Sequence, residues 1–367
     1  MDDARISRTT ELAARYAEAA ERDRRLAEET VAALVAAGFT RHFVPRRWGG
    51  AEGGFAELVA RVAAVAEGCA SAAWCATLFA AHGRFAAQLP PDGRRELWGA
   101  TPDVRIAAAI APPSGTAVPT EDGGWRLHGE WQCASGADFA DWVLLAAWEP
   151  CQDGRRARVL AVPAADLTVR PSWDGVGLRG TGSNTVLVET TTVPAHRSFL
   201  LADLLAGATD PDAARCHQAP AQLAGGLMFC APALGAARRA LRVWSVWAAR
   251  KSGGRPNQES AAVRETLLRS SAEIDAAQLL VTEAARRADA DPVTEELVAR
   301  NQRDAAVAVD LLVTAVERLL RTGGAHVREG AGELQRLWRD LHTIAGHGAL
   351  RLETAAEAYA AAALPRL

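Results

Sequence analysis

Residues 129–138 read Gly-Glu-Trp-Gln-Cys-Ala-Ser-Gly-Ala-Asp, a β-prone run that passes from an aromatic residue through small ones into a Ser-Gly turn. Long helical patterns lie on both sides of this run in the chain. A strand that ends in small residues leaves room for a flat ring, and the hydroxyl of Ser135 can bond a ring nitrogen whose protonation changes during catalysis. The stretch therefore predicts a β domain between two helical domains, with a flavin site at the turn.

The residues before this stretch show helical periodicity. Apolar residues recur at intervals of three and four, and glycines at residue 38 and within residues 49–54 interrupt the pattern, as expected at helix ends and in loops. We therefore expect an N-terminal helical domain over residues 1–103, with helical patterns over Ile6–Gly38, Phe55–Gly68, Ser71–Gln88 and Asp92–Trp98.

From residue 104 onward, short β-prone runs alternate with Asp-Gly and glycine-rich turns. This spacing is typical of a compact barrel or sandwich. We expect a central small β-barrel or sandwich over residues 104–205, with strands at Val104–Ile110, Trp125–Gln132, Trp142–Trp148, Ala157–Pro163, Leu167–Pro171 and Asn184–Val193.

The chain returns to long helical patterns after Leu200. Short segments that contain Gly or Pro separate these patterns, which is typical of a four-helix bundle. We expect this C-terminal bundle over residues 206–367 and assign the whole chain to the α+β class. The predicted helices are Ala219–Lys251, Gln258–Ala290, Thr294–Arg321 and Ala331–Leu364.

The composition argues against several classes of partner. A net charge of −3 and a pI near 6.3 provide no basic field for nucleic acid or anionic lipid. No apolar run reaches the roughly 20 residues that a membrane-spanning helix needs, and the first residues lack the pattern of a signal peptide. The six cysteines form no CxxC pair and no metal-ligand spacing. We therefore expect a cytoplasmic protein without a metal site that acts on a small molecule.

Two motifs and the order of the domains resemble the acyl-CoA dehydrogenase superfamily. Residues 43–50, Phe-Val-Pro-Arg-Arg-Trp-Gly-Gly, resemble its P-x-x-[YW]-G-G loop. Residues 177–184, Gly-Leu-Arg-Gly-Thr-Gly-Ser-Asn, followed by Val193 and Pro194, resemble its G-x-R-x-T-x-S … VP stretch. The resemblance covers nearly the whole chain and implies an acyl-CoA dehydrogenase-like fold.

A third motif points to one branch of that superfamily. Residues 337–347, Leu-Trp-Arg-Asp-Leu-His-Thr-Ile-Ala-Gly-His, resemble the W-R-D…H helix of two-component flavin-dependent monooxygenases, whereas the dehydrogenases carry a catalytic carboxylate in a late Y-E-G-T-like turn. The resemblance implies an oxygenase that receives reduced FMN (FMNH2), or FAD, from a separate NAD(P)H:flavin reductase. It also implies reaction with O2 through a C4a-(hydro)peroxyflavin, and a homotetramer built as a dimer of dimers. The implied reaction is hydroxylation of an aromatic or polyketide-like substrate, or N-oxidation of an amine, as in secondary metabolism.

The resemblance also assigns roles around the flavin ring. Ser135 corresponds to the hydroxyl at flavin N5 and His347 to the histidine on the peroxide side, where a pKa near 6.5 allows proton exchange near neutral pH. We expect these two to be catalytic. The backbone amides from Ala134 to Gly136 are expected to bond the carbonyl edge of the ring. Cys133, which we also assign to the cofactor site, stands where relatives commonly carry Phe or Trp against the flavin, and we expect the smaller side chain to enlarge the substrate side of the pocket.

Five further side chains are assigned to the cofactor and the substrate. The hydroxyls of Thr181 and Ser183 are expected to bond ribityl or phosphate oxygens. Arg250 resembles the arginine that reaches a flavin phosphate, often across a subunit boundary, because a guanidinium matches phosphate bidentately. Trp74 and His82, eight positions apart on one predicted helix, are expected to face the substrate.

If the helix of the W-R-D motif is regular, its geometry predicts how Asp340 and His342 are placed relative to His347. Asp340 then lies seven positions before His347 on nearly the same face, about 10 Å along the axis. A contact between them needs Thr343, water or substrate as an intermediary. His342 lies about 140° around the helix from His347, so we expect it to be structural.

Two other functions stay open from the residues alone. An acyl-CoA or acyl-carrier-protein dehydrogenase with bound FAD needs a catalytic carboxylate, for which Glu329, Glu333 and Glu353 are candidates. A non-catalytic scaffold of the same fold binds no flavin.

Overall fold

The computed structural model describes residues 2–152, 154–208, 212–251, 260–323 and 332–364. Its N-terminal part is helical, as predicted. The pattern over residues 6–38 forms two helices, because Arg24 takes a left-handed conformation (φ 55°) that ends the first one. Gly38, also left-handed (φ 88°), follows the second. The helices are α1 Asp3–Asp23, α2 Glu28–Ala36, α3 Phe55–Ala66, α4 Ala70–Ala86 and α5 Pro91–Trp98.

The centre of the chain is one hydrogen-bonded sheet. Its strands are β1 Ile106–Ala109, β2 Thr116–Pro119, β3 Trp125–Ala134, β4 Trp142–Cys151, β5 Gly154–Pro163, β6 Thr168–Arg170, β7 Asn184–Val193 and β8 Ser198–Leu200. The order is β6-β7-β3-β2-β4-β5-β8, with β1 beside β4. Along β4, Val143 and Leu145 join one apolar cluster and Leu144 and Ala146 join another. Burial of both faces explains why this strand reads as a continuous apolar run.

The sequence pattern misses two strands. β2 and β8 have four and three residues. β1 and β6 are equally short, but they lie within the longer predicted runs Val104–Ile110 and Leu167–Pro171. The predicted central β domain is present, and its hydrogen-bonded path begins at β6 and ends at β8.

The C-terminal part is helical, but its last predicted helix is broken. The helices are α6 Leu201–Ala206, α7 Arg215–Gln218, α8 Ala221–Lys251, α9 Ala261–Ala290, α10 Glu295–Thr322, α11 Glu333–Ala345 and α12 Leu352–Ala363. Between α11 and α12, Gly346 and Gly348 flank His347, whose backbone is extended (ψ 137°). Glycine disfavours helix continuation, so the chain turns here. The predicted starts at Gln258 and Ala331 lie outside the described residues.

Helix α8 packs closely on its neighbours α3, α10 and α11. Gly235 of α8 lies so near α3 that a Cβ there would be 2.0 Å from the carbonyl oxygen of Ala63. The Cβ position of Gly225, ten positions earlier, has open space around it. In the described part of the chain, no helix is both long and apolar enough to cross a membrane.

The close packing of α8 on α3 predicts a difference between two substitutions. Gly235→Ala is expected to lower the free energy of unfolding by about 2 kcal/mol, because the new methyl group forces the helices apart. Gly225→Ala, the matched control, is expected to leave stability unchanged or to raise it by up to about 1 kcal/mol. Urea denaturation followed by circular dichroism measures both. Equal effects of the two substitutions would contradict this packing.

Candidate active site

A cavity of about 550 Å³ lies where the sheet meets the helices. It is walled by α4, β1, the end of β3, the loop before β7, the first half of α8 and the segment after α11. A second cavity of about 480 Å³ adjoins it and shares Ala109, Ala111, Gln132 and Cys133. A mostly apolar cavity with a few polar groups is typical of a small-molecule site. The lining of the main cavity includes Trp74, His82, Gln132, Cys133, Ser135, Trp173, Ser183, Phe229, Thr343 and His347.

Ser135 lies at the cavity wall just after β3. Its Oγ accepts a hydrogen bond from Trp74 Nε1 at 3.1 Å and lies 2.7 Å from the Oγ of Ser183. Ser183 is 2.7 Å from Oγ1 of Thr181, which donates to the carbonyl of Leu178 at 2.8 Å. The structure therefore brings Ser135, Trp74 and Ser183 together at one wall. Thr181, which the sequence assigns to the cofactor, is behind Ser183 and outside the lining.

A β-bulge shapes this wall. The register between β3 and β7 shifts just before Ala134, and Cys133 is left-handed (φ 60°), with its side chain bordering both cavities. The prediction that the amides from Ala134 to Gly136 face a ring is wrong for two of them. The amide of Ser135 donates to the carbonyl of Cys133, and that of Gly136 to the carbonyl of Thr181, both at 3.0 Å.

His347 lies in the break after α11. Its ring lies on Phe229 with centroids 3.7 Å apart and meets Trp74 edge-on at 5.7 Å. Its Nδ1 accepts the backbone N–H of Ala349 at 3.2 Å. Burial lowers the pKa of His347 to about 4. The imidazole is therefore neutral at pH 7 with its proton on Nε2, which makes Nε2 a hydrogen-bond donor toward a ligand. The ring does not titrate near pH 6.5, the pKa expected from the sequence.

His82 of α4 lines the same cavity, but its free ring nitrogen accepts a hydrogen bond where that of His347 donates one. Its Nδ1 lies 2.8 Å from the carbonyl oxygen of Ile106. Because a carbonyl only accepts, Nδ1 carries the proton and Nε2 is an acceptor. Burial also lowers the pKa of His82 to about 4, so this ring is neutral as well. His82 and Trp74 both line the cavity, on the common helix face that their spacing indicates.

Asp340 of α11 has a structural contact. The predicted alignment of Asp340 with His347 along one helix is wrong, because the helix ends before His347. Instead, Oδ1 of Asp340 accepts the N–H of Leu178 at 2.6 Å, and Leu178 itself is left-handed (φ 50°). The neighbouring Arg339 pairs with Glu21 of α1 at 2.6 Å. The W-R-D motif thus fastens the loop that carries Leu178 to α11 and α1.

Two other predicted residues lie away from the cavity. Arg250 is exposed at the end of α8, 21 positions after Phe229, which is about 31 Å along the helix. It does not reach the cavity of its own chain. His342 packs on the ring of Trp338 with centroids 4.5 Å apart, outside the lining, in the structural position expected of it.

Phe229, Trp173 and Gln132 are among the lining residues that the sequence-based candidates omit. Phe229 lies in an apolar stretch of α8, where an aromatic residue normally signals only the helix core. Trp173 precedes an Asp-Gly turn, and Gln132 reaches the cavity only because of the bulge in β3. None has a local motif, so the tertiary structure alone identifies them.

The described residues that line the main cavity include no carboxylate. Of the candidates for a dehydrogenase base, Glu333 pairs with Arg239 at 2.7 Å and Glu353 is exposed in the first turn of α12. Glu329 lies outside the described residues. The two described candidates therefore do not serve as a base in this cavity.

Comparison with known proteins agrees with this architecture. Residues 2–90 match the family model for the acyl-CoA dehydrogenase N-terminal domain, and residues 227–352 match that for the C-terminal domain. The chain is 31% identical to the flavin-dependent monooxygenase oxygenase subunit HsaA of Rhodococcus jostii, over 89% of this chain and 88% of that protein. It is 29% identical to the oxygenase component of an FADH(2)-dependent resorcinol hydroxylase from a Rhizobium species, over 94% and 89%. The crystal structure of 3-HSA hydroxylase from Rhodococcus sp. RHA1 superposes with a TM-score of 0.91 at 27% identity, covering 99% of this chain and 97% of that one.

The buried carboxyl of Asp340 predicts a pH-dependent stability difference. Burial raises its pKa to about 6, with Glu21, Arg336, Arg339 and Cys69 as the ionisable groups around it. A folded-state pKa above the unfolded value of about 3.9 means that the folded state gains stability as the pH falls through this window. From pH 7.5 to 5, wild type is therefore expected to gain about 1 kcal/mol relative to Asp340→Asn.

Urea denaturation at the two pH values measures this gain. Asp310→Asn, at an exposed position of α10, controls for the loss of one carboxylate. The same pH-dependent change in both variants would contradict the assignment to Asp340.

Proposed function

The chain belongs to the acyl-CoA dehydrogenase family and, within it, to the oxygenase subunits of flavin-dependent monooxygenases, and on this basis we propose that it hydroxylates a phenolic substrate. The reaction uses O2 and a reduced flavin at the main cavity. The observation that carries the proposal is the pair of neutral imidazoles, one an acceptor and one a donor, in the cavity bordered by Ser135.

A flavin ring suits the donors and surfaces of this cavity. Its volume lies in the range of small-molecule sites. Trp74 and Phe229 provide flat apolar surfaces, and Ser135 provides a hydroxyl at the wall. We assign Ser135, Ser183 and the bulge residue Cys133 to the cofactor side. When bound, a reduced flavin supplies the electrons that activate O2.

The substrate side is defined by the two histidines. His82 Nε2 accepts the hydrogen bond of a phenolic O–H and so orients the ring. His347 Nε2–H donates to the oxygen that is transferred, in apolar surroundings that exclude water. Hydroxylation of a phenol also agrees with the resorcinol hydroxylase among the relatives.

Two partners complete the proposal. A separate NAD(P)H:flavin reductase delivers reduced FMN or FAD, in accord with the relatives' description as oxygenase subunits or components. A second copy of this chain in a homotetramer brings its Arg250 to the flavin phosphate, since Arg250 does not reach the cavity of its own chain.

The function is tested with purified protein and anaerobically reduced FMN. Addition of 18O2 and a monohydric phenol is expected to give a dihydroxylated product with one 18O atom, measured by mass spectrometry. The methyl ether of the same phenol is expected to react at least tenfold more slowly, because it has no proton to give to His82. Oxidation of an acyl thioester without O2 would contradict the proposal and support a dehydrogenase.

The donor role of His347 is tested against a matched histidine. His347→Ala is expected to lower the hydroxylated product formed per reduced flavin by about 100-fold, the usual scale for loss of a positioned proton donor. His342→Ala, five positions earlier and outside the cavity, is the control and is expected to keep the wild-type yield. A full yield in His347→Ala would remove this residue from the site.

A further inference from the structure

Four side chains and one carbonyl form a continuous hydrogen-bond chain behind the cavity wall. In order they are Trp74, Ser135, Ser183, Thr181 and Leu178. The successive donor–acceptor distances are 3.1, 2.7, 2.7 and 2.8 Å. The three hydroxyl-bearing residues are buried, with at most 8% of their surface exposed.

The distances between the hydroxyls do not distinguish donor from acceptor, but the two ends of the chain favour one direction for every bond. The Leu178 carbonyl only accepts, so the single proton of the Thr181 hydroxyl points to it. Ser183 must then donate to Thr181, and Ser135 must donate to Ser183. At the other end, the indole N–H of Trp74 only donates, so it gives its proton to Ser135. The proton of Ser135 is therefore directed away from the cavity.

This direction determines what Ser135 offers to a ligand. A hydroxyl oxygen has two lone pairs, and the indole of Trp74 uses one of them. Because Ser135 borders the cavity, the other lone pair is an acceptor for a donor there. A reduced isoalloxazine carries a proton on N5, whereas the oxidised ring has a bare N5 that accepts.

We propose that Ser183 and Thr181 are positioning residues that hold Ser135 as an acceptor, so that the site selects reduced over oxidised flavin. This inference rests on the proposed function, because it assumes that a flavin occupies the cavity. The selectivity comes from pairing: an oxidised ring would place two acceptors opposite each other, which leaves both without a proton to share.

Leu178, the last member of this hydrogen-bond chain, is held in place by several further hydrogen bonds. The N–H of Leu178 is bonded to Asp340, and its carbonyl also receives Trp173 Nε1 at 3.0 Å. Its left-handed backbone turns the carbonyl back toward Thr181, whose amide donates to the same oxygen at 3.1 Å. Asp340 therefore acts on the direction of the Ser135 hydroxyl through the backbone of one residue.

The test compares the dissociation constants of reduced and oxidised FMN, measured anaerobically by fluorescence titration for each variant. Thr181→Val removes the hydroxyl that accepts from Ser183, and Ser183→Ala removes the acceptor of Ser135. In Ser183→Ala the proton of Ser135 loses its acceptor and can turn toward the cavity. In Thr181→Val the proton of Ser183 loses its acceptor and can turn to Ser135, which frees the proton of Ser135 for the cavity. The preference for reduced FMN is expected to fall about tenfold, equal to roughly 1.4 kcal/mol.

Two further variants separate this effect from general loosening. Thr77→Val removes a buried hydroxyl of α4 that donates to the carbonyl of Met228 at 3.2 Å and has no part in the chain. Trp74→Phe removes the donor to Ser135 but leaves the bond from Ser135 to Ser183. Both are expected to retain the wild-type ratio of the two dissociation constants, whatever they do to overall affinity.

The outcomes distinguish this inference from the proposed function. Binding of neither flavin form by wild type would overturn both. Binding of reduced FMN with an unchanged ratio in Thr181→Val and Ser183→Ala would overturn only the positioning role. The positioning role would also be overturned if Thr77→Val lowered the preference for reduced FMN by the same factor. It would likewise be overturned if wild type bound reduced and oxidised FMN with equal affinity.

Discussion

The bond between the Asp340 carboxyl and the N–H of Leu178 ties the three parts of this protein together. Asp340 belongs to the C-terminal helices, and Leu178 to the loop that leads into β7 of the sheet. Arg339, next in sequence to Asp340, pairs with Glu21 of the N-terminal helices. The loop held in this way carries Ser183, whose hydroxyl contacts that of Ser135, and Thr181, whose hydroxyl contacts Ser183. The geometry of the cavity wall therefore depends on a carboxyl that does not line the cavity.

Close helix packing supplies the opposite wall. Helix α8 approaches α3 at Gly235, where no side chain larger than hydrogen fits without movement. The same helix presents Phe229 to the cavity, where it stacks on His347. The high alanine and glycine content of α8 is thus part of how the cavity is built, because small residues let this helix pack close to α3.

The sequence predicts much of the fold because its signals are periodic. Long apolar repeats and the strand Asn184–Val193 are found where they are expected, whereas the short strands β2 and β8 lie outside the longer predicted runs and are missed. The break at His347 depends on two flanking glycines, which a helical average over residues 331–364 obscures. Ser135, His82 and Trp74 reach one cavity as expected. Phe229 has no signal of its own, and the proposed roles of Ser183 and Thr181 rest on distances between buried hydroxyls that only the three-dimensional structure shows.

The opposed tautomers of His82 and His347 leave the main cavity without formal charge at pH 7. Its described lining holds no carboxylate, guanidinium or ammonium group, and both imidazoles stay neutral down to about pH 4. An anion in such surroundings loses hydration without gaining a counter-ion. If the proposed phenolic substrate enters this cavity, we expect the un-ionised phenol to bind in preference to its phenolate. Acidic phenols, which are largely ionised at neutral pH, must be protonated or desolvated to enter, and this costs free energy that weakly acidic phenols do not lose.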